Sequence, residues 1–267
     1  MERILFLGTG GDVFVIGKQN RASGGIIINT EGVQFHIDPG PGSLIMAREC
    51  NINPRDTTCL IATSPDISLC NDVNCMIEAM THKGLDKRGV LIANEILYNG
   101  NETITPFITK EHKEYVEKSI SVMYNKKIGI NDVEIKTLPC YNTNSIGLKI
   151  ISTNYTIVYS SKTEYNSNLA EDYKNADILI LNVLNPGKNK IEGNLCIDEV
   201  IEITKKVKPQ LLIITGFGVK MLNADLLSET RRIQKETNVQ TIAAKDSLEI
   251  DPRNFNTKRK QKILKNF

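Results

Sequence analysis

The chain has 267 residues, 40% apolar and 24% charged, enough for one large core and ordinary for a soluble globular protein. Its formal net charge of +2 gives no overall electrostatic footprint for a nucleic-acid partner. There is no Trp, so the core has to rest on Ile, Leu and Val, and no apolar run approaches the roughly 20 residues that span a bilayer.

The chain opens with a β-prone run, Arg3 to Leu7, broken by Gly8-Thr9-Gly10-Gly11. This glycine turn is followed by Asp12 to Ile16, which reads as extended, so a structural turn is favoured over a phosphate cradle at a helix start. Ile26 to Ile28 and Val33 to Ile37 form a predicted hairpin with Glu31-Gly32 in its turn. After Asp38-Pro39-Gly40-Pro41-Gly42, a short helix is expected from Ser43 to Cys50, capped by Ser43. Cys59 to Ala62 reads as a buried strand, Asn71 to His82 as a helix and Gly89 to Ala93 as a strand. Four further strands are expected at Ser119 to Tyr124, Val133 to Leu138, Gly147 to Ser152 and Thr156 to Ser160.

The last third alternates. A helix near Leu169 to Lys174 leads to the continuous apolar run Ile178 to Val183, the pattern of a strand buried on both faces. A helix at Ile197 to Val207, a strand at Leu211 to Thr215, a helix at Asp225 to Glu236 and a strand at Thr241 to Ala244 follow. Strands first, then strand and helix in turn, predict sheets with helices outside them. No repeat or linker interrupts residues 1–250, which read as one domain, with a basic tail over 251–267. The run Lys258-Arg259-Lys260-Gln261-Lys262 in that tail reads as a solvated chain end, with a phosphate-backbone contact as the alternative.

Cys50, Cys59, Cys70, Cys75, Cys140 and Cys196 are scattered without a CxxC pair, and no signal-peptide pattern is present. A reducing, cytoplasmic setting is expected, with the thiols as buried small hydrophobes. Of the three histidines, His36 reads as a satisfied structural residue, and His82 and His112 as residues on helix surfaces. Ser160-Ser161-Lys162 sets two hydroxyls beside an amine, but no oxyanion hole accompanies them.

Several landmarks come in a fixed order: Phe6-Leu7-Gly8-Thr9-Gly10, His36-Ile37-Asp38-Pro39-Gly40-Pro41-Gly42, Thr63 after a short strand, Tyr159-Ser160-Ser161-Lys162-Thr163, Ala176-Asp177-Ile178-Leu179-Ile180 and Thr215-Gly216-Phe217-Gly218. This order resembles the metallo-β-lactamase superfamily, most closely its ribonuclease-Z-like, largely archaeal branch, over about residues 1 to 250. The resemblance implies an α/β fold: an αββα sandwich of two mixed sheets with helices outside. It also implies a dinuclear metal site of His and Asp ligands. At the matching positions this chain carries Ser64, Asp66, Ser68, Leu69, Cys140, Lys162 and Gly216. Asn194 stands at the place of a distant substitute His, and Asp38 is kept behind the site. No bound metal is expected there, since an ammonium in place of a bridging carboxylate repels a dication. Lys162 is expected to stand in for the lost charge and to pair with Asp66, Asp38 or both.

The expectation is therefore a non-catalytic member of the fold, without a metal cofactor, kept for binding or assembly. Its partner would be a small anion, a nucleic acid or another subunit, and relatives that pair imply a homodimer. The alternative is a ribonuclease-Z-like, zinc-dependent hydrolase of phosphodiester-type bonds, with a site rebuilt from Cys70, Cys75, Cys140 and Asp66.

Overall fold

The computed structural model describes residues 2–256; the basic run at Lys258 to Lys262 lies outside them. The first half builds one sheet and its helices: β1 (Arg3–Gly8), α1 (Val13–Gly17), β2 (Ser23–Thr30), β3 (Val33–Ile37), α2 (Ser43–Glu49), β4 (Cys59–Ala62), α3 (Ile67–Cys70), α4 (Val73–Thr81), β5 (Val90–Asn94), α5 (Glu95–Asn99), α6 (Lys110–Tyr115) and β6 (Lys118–Val122). The second half builds the other: β7 (Lys127–Ile130), β8 (Val133–Pro139), β9 (Ile146–Ile151), β10 (Thr156–Tyr159), α7 (Leu169–Asp172), β11 (Ile178–Asn185), β12 (Leu195–Cys196), α8 (Ile197–Val207), β13 (Leu211–Thr215), α9 (Val219–Asn223), α10 (Leu226–Thr237) and β14 (Gln240–Ala243). The last strand, β15 (Glu249–Ile250), returns to the edge of the first sheet beside β1.

The sheet orders are β15-β1-β2-β3-β4-β5-β6 and β14-β13-β11-β10-β9-β8-β7. Both are mixed. In each, the strands at one side pair antiparallel and those at the other pair parallel. This is the expected αββα sandwich. Ile4, Phe6, Phe35 and Ile61 of the first sheet meet Ile135, Ile150, Ile180 and Ile213 of the second in one buried core. Met76 and Met80 of α4 cover the first sheet outside, and Val200 and Ile203 of α8 cover the second. Strands β3, β4 and β13 are buried on both faces; β4 and β13 read as apolar runs for that reason, whereas β3 carries the buried polar Gln34 and His36 on one face. Strand β8 alternates instead, because its outer side faces water.

Three local expectations change. Val13 to Gly17 is helical, not extended, because the Asp12 carboxylate accepts from Val15 N and caps it. Helix α2 is not capped by Ser43, whose hydroxyl donates to Gly40 O; the carboxylate of Asp72 accepts from Gly42 N and Ser43 N instead. Cys75 is exposed, and Cys50 and Cys140 are half-buried, so only Cys59, Cys70 and Cys196 fit the buried reading. His36 is fully buried with Nε2 at 2.8 Å from Gly24 O, but Nδ1 has no partner; burial pushes its pKa down to about 4. Strand β7 and helices α5 and α6 escaped the sequence reading because each is short and lacks a clear period.

Candidate functional site

The singled-out side chains leave the sheets at strand ends, the usual place for ligand sites in parallel α/β arrangements. Asp38 follows β3, Ser64 and Asp66 follow β4, Cys140 follows β8, Lys162 follows β10 and Gly216 follows β13. They do not form one cluster. Asp38, Ser68, Leu69 and Gly216 border an inner cavity of about 20 Å³, while Ser64, Asp66, Lys162 and Asn194 line an outer groove of about 380 Å³. Cys140 lies apart, its Sγ donating to Ser160 O at 3.3 Å, and burial pushes its thiol pKa up.

The inner compartment is a hydrogen-bonded chain. Asp38 is buried, and its Oδ1 accepts from Thr63 N at 2.7 Å. Its Oδ2 accepts from Thr63 Oγ1 at 2.7 Å and from Tyr159 OH at 2.9 Å. The Thr63 hydroxyl has spent its proton, so Ser161 Oγ, 2.6 Å away, donates to it. Asn182 Nδ2 donates to Tyr159 OH at 3.2 Å. Burial raises the Asp38 pKa to about 6 against the opposing pull of these donors. The same burial and the neighbouring Asp38 drive the Tyr159 phenol far above its ordinary range. Both Asp38 (φ 54°) and Ser161 (φ 54°) hold left-handed backbone conformations that side chains other than Gly seldom adopt. The cavity has room for about one water molecule.

Gly216 explains what became of one expected ligand position. Its φ is 70°, and a Cβ there would come within 2.5 Å of Asn182 Oδ1. The Asn182 side chain thus fills the space an imidazole at Gly216 would need. Asn182 was not among the residues singled out from sequence. Its signal was a lone amide inside the apolar run Ile178 to Val183. Tyr159 and Thr63 appeared there only as landmarks, and Ser161 as a landmark and as one of two hydroxyls beside Lys162.

The outer groove is governed by an ion pair. Lys162 Nζ donates to Asp66 Oδ2 at 2.7 Å, with 16% of the lysine and 39% of the aspartate side chain exposed. Asp66 Oδ1 accepts from Ser68 N and Ser68 Oγ, capping α3. Burial acts to raise the Asp66 pKa, but the charge and hydrogen bond of Lys162, with the Ser68 donors, hold it below the usual carboxylate range. The expected partnership of Lys162 is therefore with Asp66; Asp38 is satisfied by neutral donors instead. Ser145 Oγ donates to Ser64 Oγ at 2.9 Å, and Thr143 Oγ1 donates to Lys162 O at 3.0 Å. Glu164 clamps the rim by accepting from Gly193 N and Asn142 Nδ2. Asn194 Nδ2 donates to Glu192 O.

This donor set does not fit a pair of dications. A hydroxyl, a glycine, a leucine and an ammonium offer no anionic or imidazole lone pair, and the one carboxylate among them is committed to Lys162. Among the described residues, no group of three or more His, Cys, Asp and Glu side chains is gathered so as to hold a metal ion. The cysteines proposed for a rebuilt site are not gathered with Asp66 into such a group either: Cys70, the last residue of α3, is buried, while Cys75 on α4 is exposed. No helix among the described residues is long and apolar enough to cross a membrane.

No family model matches the chain. A curated relative, the uncharacterized protein MJ1374 of Methanocaldococcus jannaschii, is 30% identical over 267 residues and covers 98% of both chains. Among solved structures, the metallo-β-lactamase fold protein YhfI from Bacillus subtilis is similar with a TM-score of 0.77 at 14% identity, covering 93% of this chain and 98% of that one. The short form of human tRNase Z matches with a TM-score of 0.67 at 12% identity over 93% and 98% of the two chains. A diphosphatase of the PhnP family matches with a TM-score of 0.67 at 15% identity over 94% and 97%.

Proposed function

The chain shares a family with MJ1374 and belongs to the metallo-β-lactamase superfamily, and from that premise we propose that it works without the superfamily's metal pair, as a binding protein and not a hydrolase. The observation that carries this reading is the Lys162–Asp66 pair at 2.7 Å. An ammonium already supplies positive charge where a dication would, and it occupies the carboxylate a metal would need. The filling of the Gly216 position by Asn182 supports the same reading. The groove above the pair presents hydroxyls and amides from Ser64, Thr143, Ser145 and Asn194, a lining suited to a polar ligand held by hydrogen bonds.

Metal analysis of protein purified without chelator, together with thermal melting in added zinc or manganese, tests this. The expected result is substoichiometric metal, no rise in melting temperature and no hydrolysis of bis-p-nitrophenyl phosphate. The competing reading is a ribonuclease-Z-like hydrolase of phosphodiester-type bonds with a rebuilt zinc site, and it draws its support from the tRNase Z and diphosphatase among the structural neighbours. Stoichiometric zinc that stabilises the fold, lost in Asp66→Ala, would establish that reading and end the metal-free one.

A further inference from the structure

The small net charge of the whole chain conceals a local concentration of charge. In the ladder of β7, β8 and β9, Lys127 stands directly opposite Lys136, and Lys136 directly opposite Lys149. Directly opposed residues in antiparallel strands point to the same face. The neighbouring row, Ile128, Ile135 and Ile150, packs into the core between the sheets. The three lysines therefore stand on the outer face, their backbones spread over about 10 Å at the usual strand spacing. Like charges set opposite one another destabilise a sheet, so this row weakens the fold it sits on.

The surroundings relieve that repulsion only in part. Glu134 lies at 3.2 Å from Lys136. Lys149 Nζ donates to Asp172 O and Lys174 O at the end of α7, at 3.1 and 2.8 Å. Lys174 is itself paired with Glu171. Among the described residues, Lys127 and its neighbour Lys126 enter no ion pair. The helices of this layer cover β11 and β13 and bury Leu138 at one end of β8, leaving the outer face of β7 exposed and Glu134 and Lys136 of β8 half-exposed. Beside the row, the connection from β6 to β7 is tied to β8 by Asn125 N to Thr137 O and Lys126 N to Thr137 Oγ1. That connection exposes Tyr124 and Met123, each by 51%.

We propose that this face binds single-stranded nucleic acid, the lysine row meeting phosphates and the Tyr124 ring stacking on a base. A row of ammoniums along a flat sheet does not converge on a single small anion; it matches charges repeated along a chain. An exposed aromatic residue on the connection that runs into β7 adds what an unpaired base recognises. This surface is distinct from the groove holding Lys162 and Asp66, so the proposal stands or falls independently of the metal-free reading.

The test is fluorescence anisotropy with the full chain and fluorescein-labelled oligo(dT) of about twelve nucleotides, within the usual site sizes, across about 50 to 200 mM salt. Each phosphate contact on a single strand contributes about 0.7 to the slope of log affinity against log salt, so three predict a slope near −2 and a loss of roughly 15- to 20-fold over that range. Lys127→Gln/Lys136→Gln should remove more than half of that slope, and adding Lys149→Gln should nearly abolish it. The first variant guards against a folding effect of the half-buried Lys149. Its own melting temperature should rise at low salt, because the like-charge row is relieved. Tyr124→Ala should weaken binding several-fold and leave the salt slope unchanged. Lys83→Gln/Lys87→Gln, on the other side of the sandwich, should behave as wild type. The proposal is overturned if the oligonucleotide does not bind at about 50 mM salt, or if the control pair loses as much as the lysine row. It is overturned equally if a duplex binds as tightly and Tyr124→Ala is silent, or if polyglutamate binds the row more tightly than the oligonucleotide does.

Discussion

Asp38 and Asp66 face the same physical problem a short way apart, and the fold solves it twice. Both are carboxyls beside the expected metal positions. Asp38 is fully buried, and neutral donors from Thr63 and Tyr159 satisfy it while burial pushes its pKa up to about 6. Asp66 remains 39% exposed, and Lys162 holds it ionised, with its pKa below the ordinary range. The difference is depth. Deep burial disfavours the charge and raises the pKa, and converging neutral donors offset part of that cost. At the half-wet rim, an ammonium can stay charged and pair, at modest gain.

Four experiments break or sharpen this contrast. The largest effect is expected from Gly216→His, which adds strain at a positive φ and drives a side chain onto Asn182. It should cost about 3 kcal/mol or more in denaturant unfolding, with part recovered in Gly216→His/Asn182→Ala. Unchanged stability would mean that the inner compartment is loosely packed.

Next is the pH dependence of Asp38. Its folded pKa of about 6 exceeds its ordinary value of 3.8. The folded state therefore holds the proton better, and this stabilisation is lost as pH rises from about 4 to about 6. His36, lowered from 6.5 to about 4, works the other way over nearly the same window, so stability gained from it rises with pH. The two slopes should largely cancel in the wild type. Asp38→Asn should uncover the rising His36 slope, a difference on the order of 3 kcal/mol across the window. Parallel stability curves for wild type and variant would show that Asp38 titrates normally.

Lys162→Ala should cost less. A fully buried pair would lose about 3 kcal/mol, but the exposure of Asp66 screens it, and about 1 kcal/mol is expected. Because the Asp66 pKa is depressed, that contribution should be present above about pH 4 and vanish as pH falls through the depressed pKa. A loss that persists in acid would assign Lys162 a packing role. The smallest effect belongs to the rim: Asn194→Ala removes one bond to Glu192 O and should change stability by less than about 0.5 kcal/mol. A larger loss would show that the groove wall depends on that amide.

Much of the fold was legible in the sequence, because period and burial leave direct marks. Ile197 to Val207 and Leu211 to Thr215 emerge with the expected bounds, the first from its amphipathic spacing and the second from its unbroken apolar run. The site was legible as a set of substitutions, since Lys162 and Gly216 stand where other residues were expected. The sequence did not reveal that these positions divide into a small inner cavity and a wider outer groove, since that division depends on the reach of Asn182 and Tyr159 from other strands. The lysine row was equally hidden. Lys127, Lys136 and Lys149 are separated along the chain, and only the β7-β8-β9 register sets them abreast.

Composition and periodicity by themselves determined that this chain makes sheets with helices outside them, and its ordered landmarks, through their resemblance to the metallo-β-lactamase superfamily, that an amine stands where an acid was expected at the end of β10. Both follow from local chemistry: apolar spacing fixes which faces can be buried, and residue type fixes charge. Tertiary structure alone decided which carboxyl receives that amine. Lys162 meets Asp66 and not Asp38 because Thr63 and Tyr159, the latter held by Asn182, already occupy the Asp38 oxygens deep in the fold, while Asp66 lies at the half-exposed rim.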